Sequence, residues 1–244
     1  GGKGLAVLAE ASASPSIAAM RAKLTARFPD AQWVEYEAMS RDNEREGLKL
    51  AFGQALEPVY DLTKANVIVT LDADIFTSGP ARMTLARDWA AGRDSESGTM
   101  NRMYAVEAVY SPAGVSADHR LPLRANQIKP FLMALEAKVA ALGASTGEAS
   151  ATPKSSWLKD DKVAKWLDAL AKDLVENKGK SALFAGYGQP ADVHAITHRL
   201  NAALGNTGTT VSYFAAANPE RPTHQAGLVA LTEAMAGGSV DTLV

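Results

Sequence analysis

Two acidic residues, Asp72 and Asp74, directly follow segment 66–71, the most β-prone run in the chain. Alternation along an extended backbone predicts that both carboxylates point the same way, at the carboxyl edge where open α/β sheets bind ligands. Paired carboxylates there can bind a cation or act as general acid and base. They can equally cap the helix predicted from Pro80 or accept hydrogen bonds from loop amides. Both interpretations stay open from the sequence.

A second polar cluster occupies segment 118–124, after the predicted fourth strand. Its polar members are Asp118, His119, Arg120 and Arg124. Two arginines can clamp an anion, but arginines that pair with a carboxylate instead fix a loop. We predict a structural charge cluster in which the arginines pair with Asp118, or with Asp72 or Asp74 across a cleft.

The carboxyl ends of the predicted strands are expected to border one vestigial cleft. The residues predicted to line it are Asp72, Asp74, Asn101, Arg102, Asp118, His119, Arg120 and Arg124. None of them is predicted to be catalytic or to bind a cofactor, and no metal ligand is predicted anywhere in the chain.

Segment 186–191 reads Gly-Tyr-Gly-Gln-Pro-Ala, between a predicted strand and a predicted helix. This G-x-G-x-x-A pattern is typical of turns in which glycines let a pyrophosphate approach a helix N-terminus. A ribose-binding acid should close the next strand, but segment 213–217 reads Tyr-Phe-Ala-Ala-Ala. The alternative is that the glycines only form a tight turn between strand and helix.

His194 and His198 are four residues apart on one predicted helix, a spacing that can place two imidazoles on one metal ion. No glutamate follows the first histidine to act as a base. At 100° per residue both histidines also fall outside the apolar stripe formed by Val193, Ile196 and Leu200. We therefore predict that they are surface histidines that bind no metal.

Short β-branched runs alternate with amphipathic helices along the chain, and this pattern predicts the α/β class with parallel, Rossmann-like sheets covered by helices. The predicted strands include 5–8, 33–36, 66–71, 103–106, 182–185 and 210–214. A stretch rich in Ala, Ser, Thr and Gly predicts a flexible connection at 144–158. We accordingly predict a first lobe over 1–143 and a second over 159–244, truncated at its C-terminal end.

The composition excludes several classes of function. With 25 basic and 27 acidic residues the net charge is −2, which argues against a nucleic-acid partner. The absence of cysteine excludes disulfides, thiolate zinc sites and iron–sulfur clusters held by this chain. No apolar run reaches the roughly 20 residues of a membrane span, so we expect no direct membrane insertion. The abrupt ends, at Gly1 and in an apolar run at Val244, suggest an excised fragment.

Several segments together resemble one protein family. In the first part they are 42–47, 51–53, 58–61, 65–69, 71–74, 100–107 and 117–124, and in the second part 179–186, 193–206 and 237–243. Their sequence and order closely resemble the molybdopterin-oxidoreductase-like, N-terminal part of the B subunit of alternative complex III. That subunit belongs to the TAT-variant-translocated molybdopterin oxidoreductase family.

The resemblance implies a periplasmic, respiratory-chain function at a bacterial inner membrane. The domain would be a scaffold of molybdopterin-oxidoreductase-like fold that lacks the cofactor, within an iron–sulfur subunit of a membrane-associated complex for quinol oxidation and electron transport. Its partners would be the other subunits, and its iron–sulfur clusters would lie in a following part of the full-length protein. The domain would not be catalytic by itself. The alternative is a small-molecule, nucleotide or pterin-binding α/β domain with its site at the carboxyl ends of the strands.

Overall fold

A computed structural model describes residues 1–96, 98, 100–144, 147, 151, 153–216 and 218–244. The fold divides into two compact units, one formed by residues 1–42 and 220–244 and the other by residues 43–219. The second unit is therefore one continuous segment inserted between the two segments of the first unit.

The smaller unit is a parallel sheet with two helices. Its strands are β1 (Leu5–Ala9), β2 (Gln32–Glu35) and β9 (Thr242–Leu243), and its helices are α1 (Pro15–Arg27) and α8 (His224–Ala236). β1 is the central strand of the order β2-β1-β9. Pro15 begins α1 as predicted, since proline lacks the N–H that a helix start would leave unbonded.

The larger unit is built on a parallel sheet of four strands. They are β4 (Val67–Leu71), β5 (Arg102–Glu107), β6 (His119–Pro122) and β7 (Ser181–Ala185), in the order β6-β5-β4-β7. Two further strands, β3 (Leu56–Tyr60) and β8 (Val211–Ala215), form a separate antiparallel pair. The helices are α2 (Asp42–Phe52), α3 (Arg82–Ala91), α4 (Pro112–Ser116), α5 (Ile128–Ala141), α6 (Asp161–Glu176) and α7 (Ala191–Ala203).

Alternating residues of β4 face two different cores, because successive side chains of a strand point to opposite faces of the sheet. Val67, Val69 and Leu71 pack with apolar residues of α5, α6 and α7. Ile68 packs on the other face with Leu85 of α3. All five residues of β4 are buried, as expected for a parallel strand covered by helices on both faces.

The chain changes direction across the sheet between β4 and β7. From β4 it proceeds to β5 and β6 on one side, whereas β7 lies on the other side of β4. Ligands of open α/β sheets bind at the carboxyl ends of strands at such a switch point. This edge carries Asp72 and the glycine turn at 186–191.

The predicted α/β class with parallel sheets and covering helices is confirmed. The predicted lobes are divided differently from the two compact units. β7 belongs to the predicted second lobe but pairs with β4 of the first. Helices α5 and α6, which the prediction also assigned to different lobes, bury their apolar faces in one shared core. Within the predicted connection at 144–158, residues 145, 146, 148–150 and 152 lie outside the described residues.

Among the helices of the described part of the chain, none combines the length and the apolar character that crossing a bilayer requires.

Candidate functional site

Asp72 and the glycine turn meet at the carboxyl edge between β4 and β7. The Gln189 Nε2 atom donates a hydrogen bond of 2.8 Å to Oδ2 of Asp72. Asp72 has a φ of +54°, the left-handed region that non-glycine residues enter at an energetic cost. Its N–H donates to the Val106 carbonyl at 2.7 Å, which anchors this conformation to the neighbouring strand.

Gly186 lies directly against Asp72. A Cβ atom at this position would be 1.8 Å from the carbonyl oxygen of Asp72, so no other residue fits without movement of the backbone. Gly188, the second glycine of the motif, has open space around its Cβ position. The first glycine of the turn is therefore explained by packing between two strand ends, as in the tight-turn interpretation.

Asp74 bonds within its own loop. Its Oδ1 accepts the Phe76 N–H at 3.2 Å, and its Oδ2 accepts the hydroxyl of Thr77. The expected parallel orientation of Asp72 and Asp74 is wrong, because the left-handed backbone at Asp72 ends the strand alternation. The Asp72 carboxylate faces Gln189, whereas the Asp74 carboxylate forms an Asx turn within its own loop.

The predicted loop at 118–124 contains strand β6, which separates its charged residues. Asp118 precedes the strand and forms a bidentate ion pair with Arg93 at 2.8 and 2.9 Å. Asp118 also accepts the Met103 N–H at 2.8 Å. Burial alone would raise the pKa of Asp118, but the bonds from Arg93 and Met103 lower it below the ordinary value. His119 is exposed, with its ring 4.7 Å from that of Tyr104.

Arg120 points to a different partner from the one predicted. Its Nε donates to Oε1 of Glu107 at 2.7 Å, and its guanidinium lies 3.6 Å from the ring centre of Tyr110. Glu107 is only 3% exposed and also accepts the Ser111 hydroxyl at 2.6 Å. Arg124, at the far end of β6, is exposed. The predicted pairing of the arginines with Asp118, Asp72 or Asp74 is therefore wrong, since Asp118 forms its ion pair with Arg93 and Arg120 forms its ion pair with Glu107.

Asn101 and Arg102 lie at the amino edge of the sheet, opposite the edge of Asp72. Arg102 pairs with Asp173 of α6 at 2.6 Å, and the Asn101 amide donates to the Trp89 carbonyl at 2.9 Å. Both residues line a cavity of 410 Å³ at this edge. The eight predicted residues therefore do not form one cleft, because they are spread along the strands. Asn101, Arg102, Asp118 and His119 lie at one end, Arg120 lies within β6, and Asp72, Asp74 and Arg124 lie at the other end.

His194 and His198 are buried, at 1% and 2% exposure, which overturns the prediction that they face solvent. The apolar stripe of α7 packs on the sheet as expected, but α2 covers the opposite face of the same helix. A Cβ atom on Gly47 of α2 would lie 2.4 Å from the Cβ of His194 and 2.6 Å from the Ala191 carbonyl oxygen. The glycine thus allows the two helices to approach closely.

This approach brings Glu44 of α2 to the two histidines. One ligand atom from each of Glu44, His194 and His198 lies within 4.8 Å of the other two, and all three residues are buried. Nδ1 of His198 is 3.0 Å from the Tyr213 hydroxyl. The sequence indicated the histidine pair by its spacing. Glu44 lies 150 residues before His194 and Tyr213 lies 15 residues after His198, so packing alone brings them to the histidines.

Burial shifts the pKa values of His198 and Tyr213. Desolvation, followed by the proximity of His194, lowers the pKa of His198 to about 3, so its imidazole is neutral at pH 7. Burial, followed by the charge of Glu44, raises the pKa of Tyr213, so its phenol stays protonated. Phe52 packs on Tyr213 with ring centres 4.7 Å apart. Glu44, His194 and His198 are hereafter called the Glu44–His194–His198 cluster.

Comparison with solved structures shows which folds are similar to this one. Acetylene hydratase from Pelobacter acetylenicus superposes with a TM-score of 0.58 and 12% identity, over 85% of this chain and 30% of that chain. The fold is α/β and similar to that of acetylene hydratase. A chain of the formyltransferase/hydrolase complex (FhcABCD) from Methylorubrum extorquens, in complex with methylofuran, matches with a TM-score of 0.52 and 16% identity, over 97% of this chain and 59% of that chain.

At these identities the similarity concerns the fold alone. No protein-family model matches the chain, and no curated protein is significantly similar to it in sequence. The molybdopterin-oxidoreductase-like fold expected from the sequence is compatible with the similarity to acetylene hydratase. The chain spans less than two thirds of either solved chain. Membership of alternative complex III stays a prediction.

Proposed function

We propose that this chain is a scaffold domain of molybdopterin-oxidoreductase-like fold that has no pterin cofactor, within an iron–sulfur subunit of a membrane-associated, quinol-oxidising complex. The proposal combines the fold similarity to a molybdopterin-family enzyme with the resemblance of the sequence to a subunit of alternative complex III. One solved neighbour belongs to a multi-subunit complex, which supports a function in assembly. By resemblance, the domain would lie on the periplasmic side of a bacterial inner membrane.

The observation that carries the proposal is that Asp72 and Gly186 fill the carboxyl edge between β4 and β7. A pterin dinucleotide bound at this switch point would need its pyrophosphate to approach the turn at 186–191. The carboxylate of Asp72 reaches into this turn through its bond to Gln189, and its charge would repel a phosphate. The space beside Gly186 is filled by the backbone of Asp72. These residues do not fit a dinucleotide phosphate, so the edge serves packing between strands.

The proposal is tested on the full-length protein, isolated with its complex from membranes of the source organism. We expect iron in multiples that match iron–sulfur clusters, quinol-oxidising activity in the complex, and no pterin in the extract of the oxidised subunit. One molybdopterin or one molybdenum or tungsten atom per subunit would contradict the scaffold function. Isolation of the full-length protein as a free soluble monomer would contradict membership of the complex.

A second function, binding of a small nucleotide at the carboxyl edge, is favoured by one observation. Asp72 keeps a left-handed backbone at the switch point, and such strained residues concentrate at ligand sites. The test is a thermal-shift titration of the 244-residue chain with NADH, GMP and a guanine–pterin analogue, because a ligand of the native state raises the melting temperature. A saturable rise that is lost in Gln189→Ala would support this function over the scaffold.

A further inference from the structure

The Glu44–His194–His198 cluster has the composition of a metal centre. Two imidazoles and one glutamate are the protein ligands of several zinc sites, in which a water completes the tetrahedron. The same set, two histidines and a carboxylate, also holds other divalent first-row metals. The three ligand atoms here come from two helices and lie within 4.8 Å of one another. The three ligands of the cluster are different residues from those of the carboxyl edge on which the proposed function depends.

The distances are close to those of a loaded site. A tetrahedral zinc ion with bonds of about 2.1 Å holds its ligand atoms about 3.4 Å apart. The present separations of up to 4.8 Å exceed this value by about 1.4 Å or less. Gly47, three residues after Glu44 on α2, lets α2 and α7 approach closely beside the ligands.

The surroundings orient one of the histidines as metal sites require. A histidine ligand usually bonds through one ring nitrogen to the metal and through the other to a hydrogen-bond acceptor. His198 has Nδ1 at 3.0 Å from the Tyr213 hydroxyl, which leaves Nε2 for a metal. Phe52 packs on both His198 and Tyr213, with ring centres 6.3 and 4.7 Å away. The ring of His198 is thus held from two sides.

We propose that Glu44, His194 and His198 bind one divalent transition-metal ion, with zinc as the expected ion, and that the ion ties α2 to α7. The cluster is buried among packed helices, so the ion would stabilise the larger unit and would not process a substrate. The proposal departs from the absence of a metal predicted from the sequence, because that prediction assumed solvent-exposed histidines. It is independent of the scaffold function, which concerns pterin and iron–sulfur cofactors.

The experiment uses the 244-residue chain carrying an affinity tag without histidine, purified without chelator. Elemental analysis is expected to find about one zinc per chain. After removal of the metal with a chelator, Zn²⁺ should raise the melting temperature and saturate at one equivalent, and Co²⁺ should give the visible absorption bands of a tetrahedral site. The proposal is overturned if neither ion binds stoichiometrically, or if Zn²⁺ leaves the melting temperature unchanged.

Variants separate a metal site from a hydrogen-bonded network. Glu44→Gln keeps the size and polarity of the side chain and is expected to weaken Zn²⁺ affinity at least 100-fold. Tyr213→Phe removes no ligand and should weaken it about 10- to 100-fold. It therefore provides a test even where Glu44→Gln fails to fold. Zn²⁺ affinity equal to that of the unmodified chain in folded Glu44→Gln or Tyr213→Phe would refute the assignment.

Matched controls are the two histidines outside the cluster. His224 is 4% exposed and bonds through Nδ1 to the Glu35 carbonyl, and His119 lies on the surface. His224→Gln and His119→Gln are expected to change Zn²⁺ affinity less than twofold. A loss in either control as large as in His194→Gln would identify adventitious binding and overturn the proposal.

Discussion

Gln189 of the turn after β7 donates a 2.8 Å hydrogen bond to the carboxylate of Asp72 after β4, a residue 117 positions earlier in sequence, and so joins two strand ends. Removal of the amide in Gln189→Leu would leave a partly buried carboxylate oxygen without this donor. We expect a loss of about 1–3 kcal/mol in the free energy of unfolding, measured with urea. Gln225→Leu, on the exposed face of α8, is the control and should change it by less than about 0.5 kcal/mol.

The two glycines of the turn should respond differently to alanine. Gly186→Ala would place a Cβ 1.8 Å from the Asp72 carbonyl oxygen and push apart β4 and β7. We expect a loss of about 3 kcal/mol or more, or failure to fold. Gly188→Ala, two residues later in open space, should stay within about 1 kcal/mol in the same urea titration. Equal effects would contradict the packing explanation of the motif.

Arg120 and Arg124 provide a second matched pair. Arg120→Ala would leave the buried carboxylate of Glu107 without its ion-pair partner, which typically costs about 3–5 kcal/mol. Arg124 is exposed, so Arg124→Ala should change the melting temperature little. Differential scanning calorimetry of both variants measures the contrast. A similar, small effect of both variants would contradict a stabilising buried ion pair between Arg120 and Glu107.

The ion pair of Asp118 predicts a pH dependence of stability. Because its bonds to Arg93 and Met103 lower the pKa below the ordinary value of 3.8, the unfolded chain binds more protons at acidic pH. The stabilisation is complete above the unfolded pKa and disappears as the pH falls through the folded pKa. Asp118→Asn should therefore cost about 1–3 kcal/mol at pH 7 and progressively less from pH 5 to pH 2.

Urea titrations at several pH values measure this difference. The control is Asp168→Asn, which removes an exposed partner of Lys138 and should cost less than about 1 kcal/mol throughout. A cost of Asp118→Asn that is the same at pH 7 and pH 3 would contradict the ion-pair origin.

Gly47 and Gly227 are both helical glycines, but only the first lies against a neighbouring backbone. Gly47→Ala would bring a Cβ within 2.6 Å of the Ala191 carbonyl oxygen and force α2 away from α7. We expect a loss of more than about 2 kcal/mol in unfolding free energy. Gly227→Ala meets its nearest neighbour at 3.4 Å and should be neutral or stabilising by up to about 1 kcal/mol, since alanine favours helix. A neutral Gly47→Ala would show that the helices separate easily.

The fold class was predictable because hydrophobic periodicity is local. The stripe Val193, Ile196 and Leu200 and the run 66–71 each required only neighbouring residues to be recognised, and both elements are observed. Strand β6 was missed because His119 and Arg120 are polar, and its last residue, Pro122, is rarely found inside a strand. Once a strand separates Asp118 from Arg124, a cluster predicted from proximity in sequence cannot form.

The sequence by itself determined the alternation of strands and helices, the absence of thiol chemistry, and the spacing of His194 and His198. Only the tertiary structure decided which faces are covered. α2 lies on the face of α7 that periodicity assigns to solvent, and this placement buries the histidines and brings Glu44 to them. Amphipathic patterns identify the most apolar face of a helix, whereas polar side chains enter the interior through partners that are distant in sequence and meet only in the folded chain.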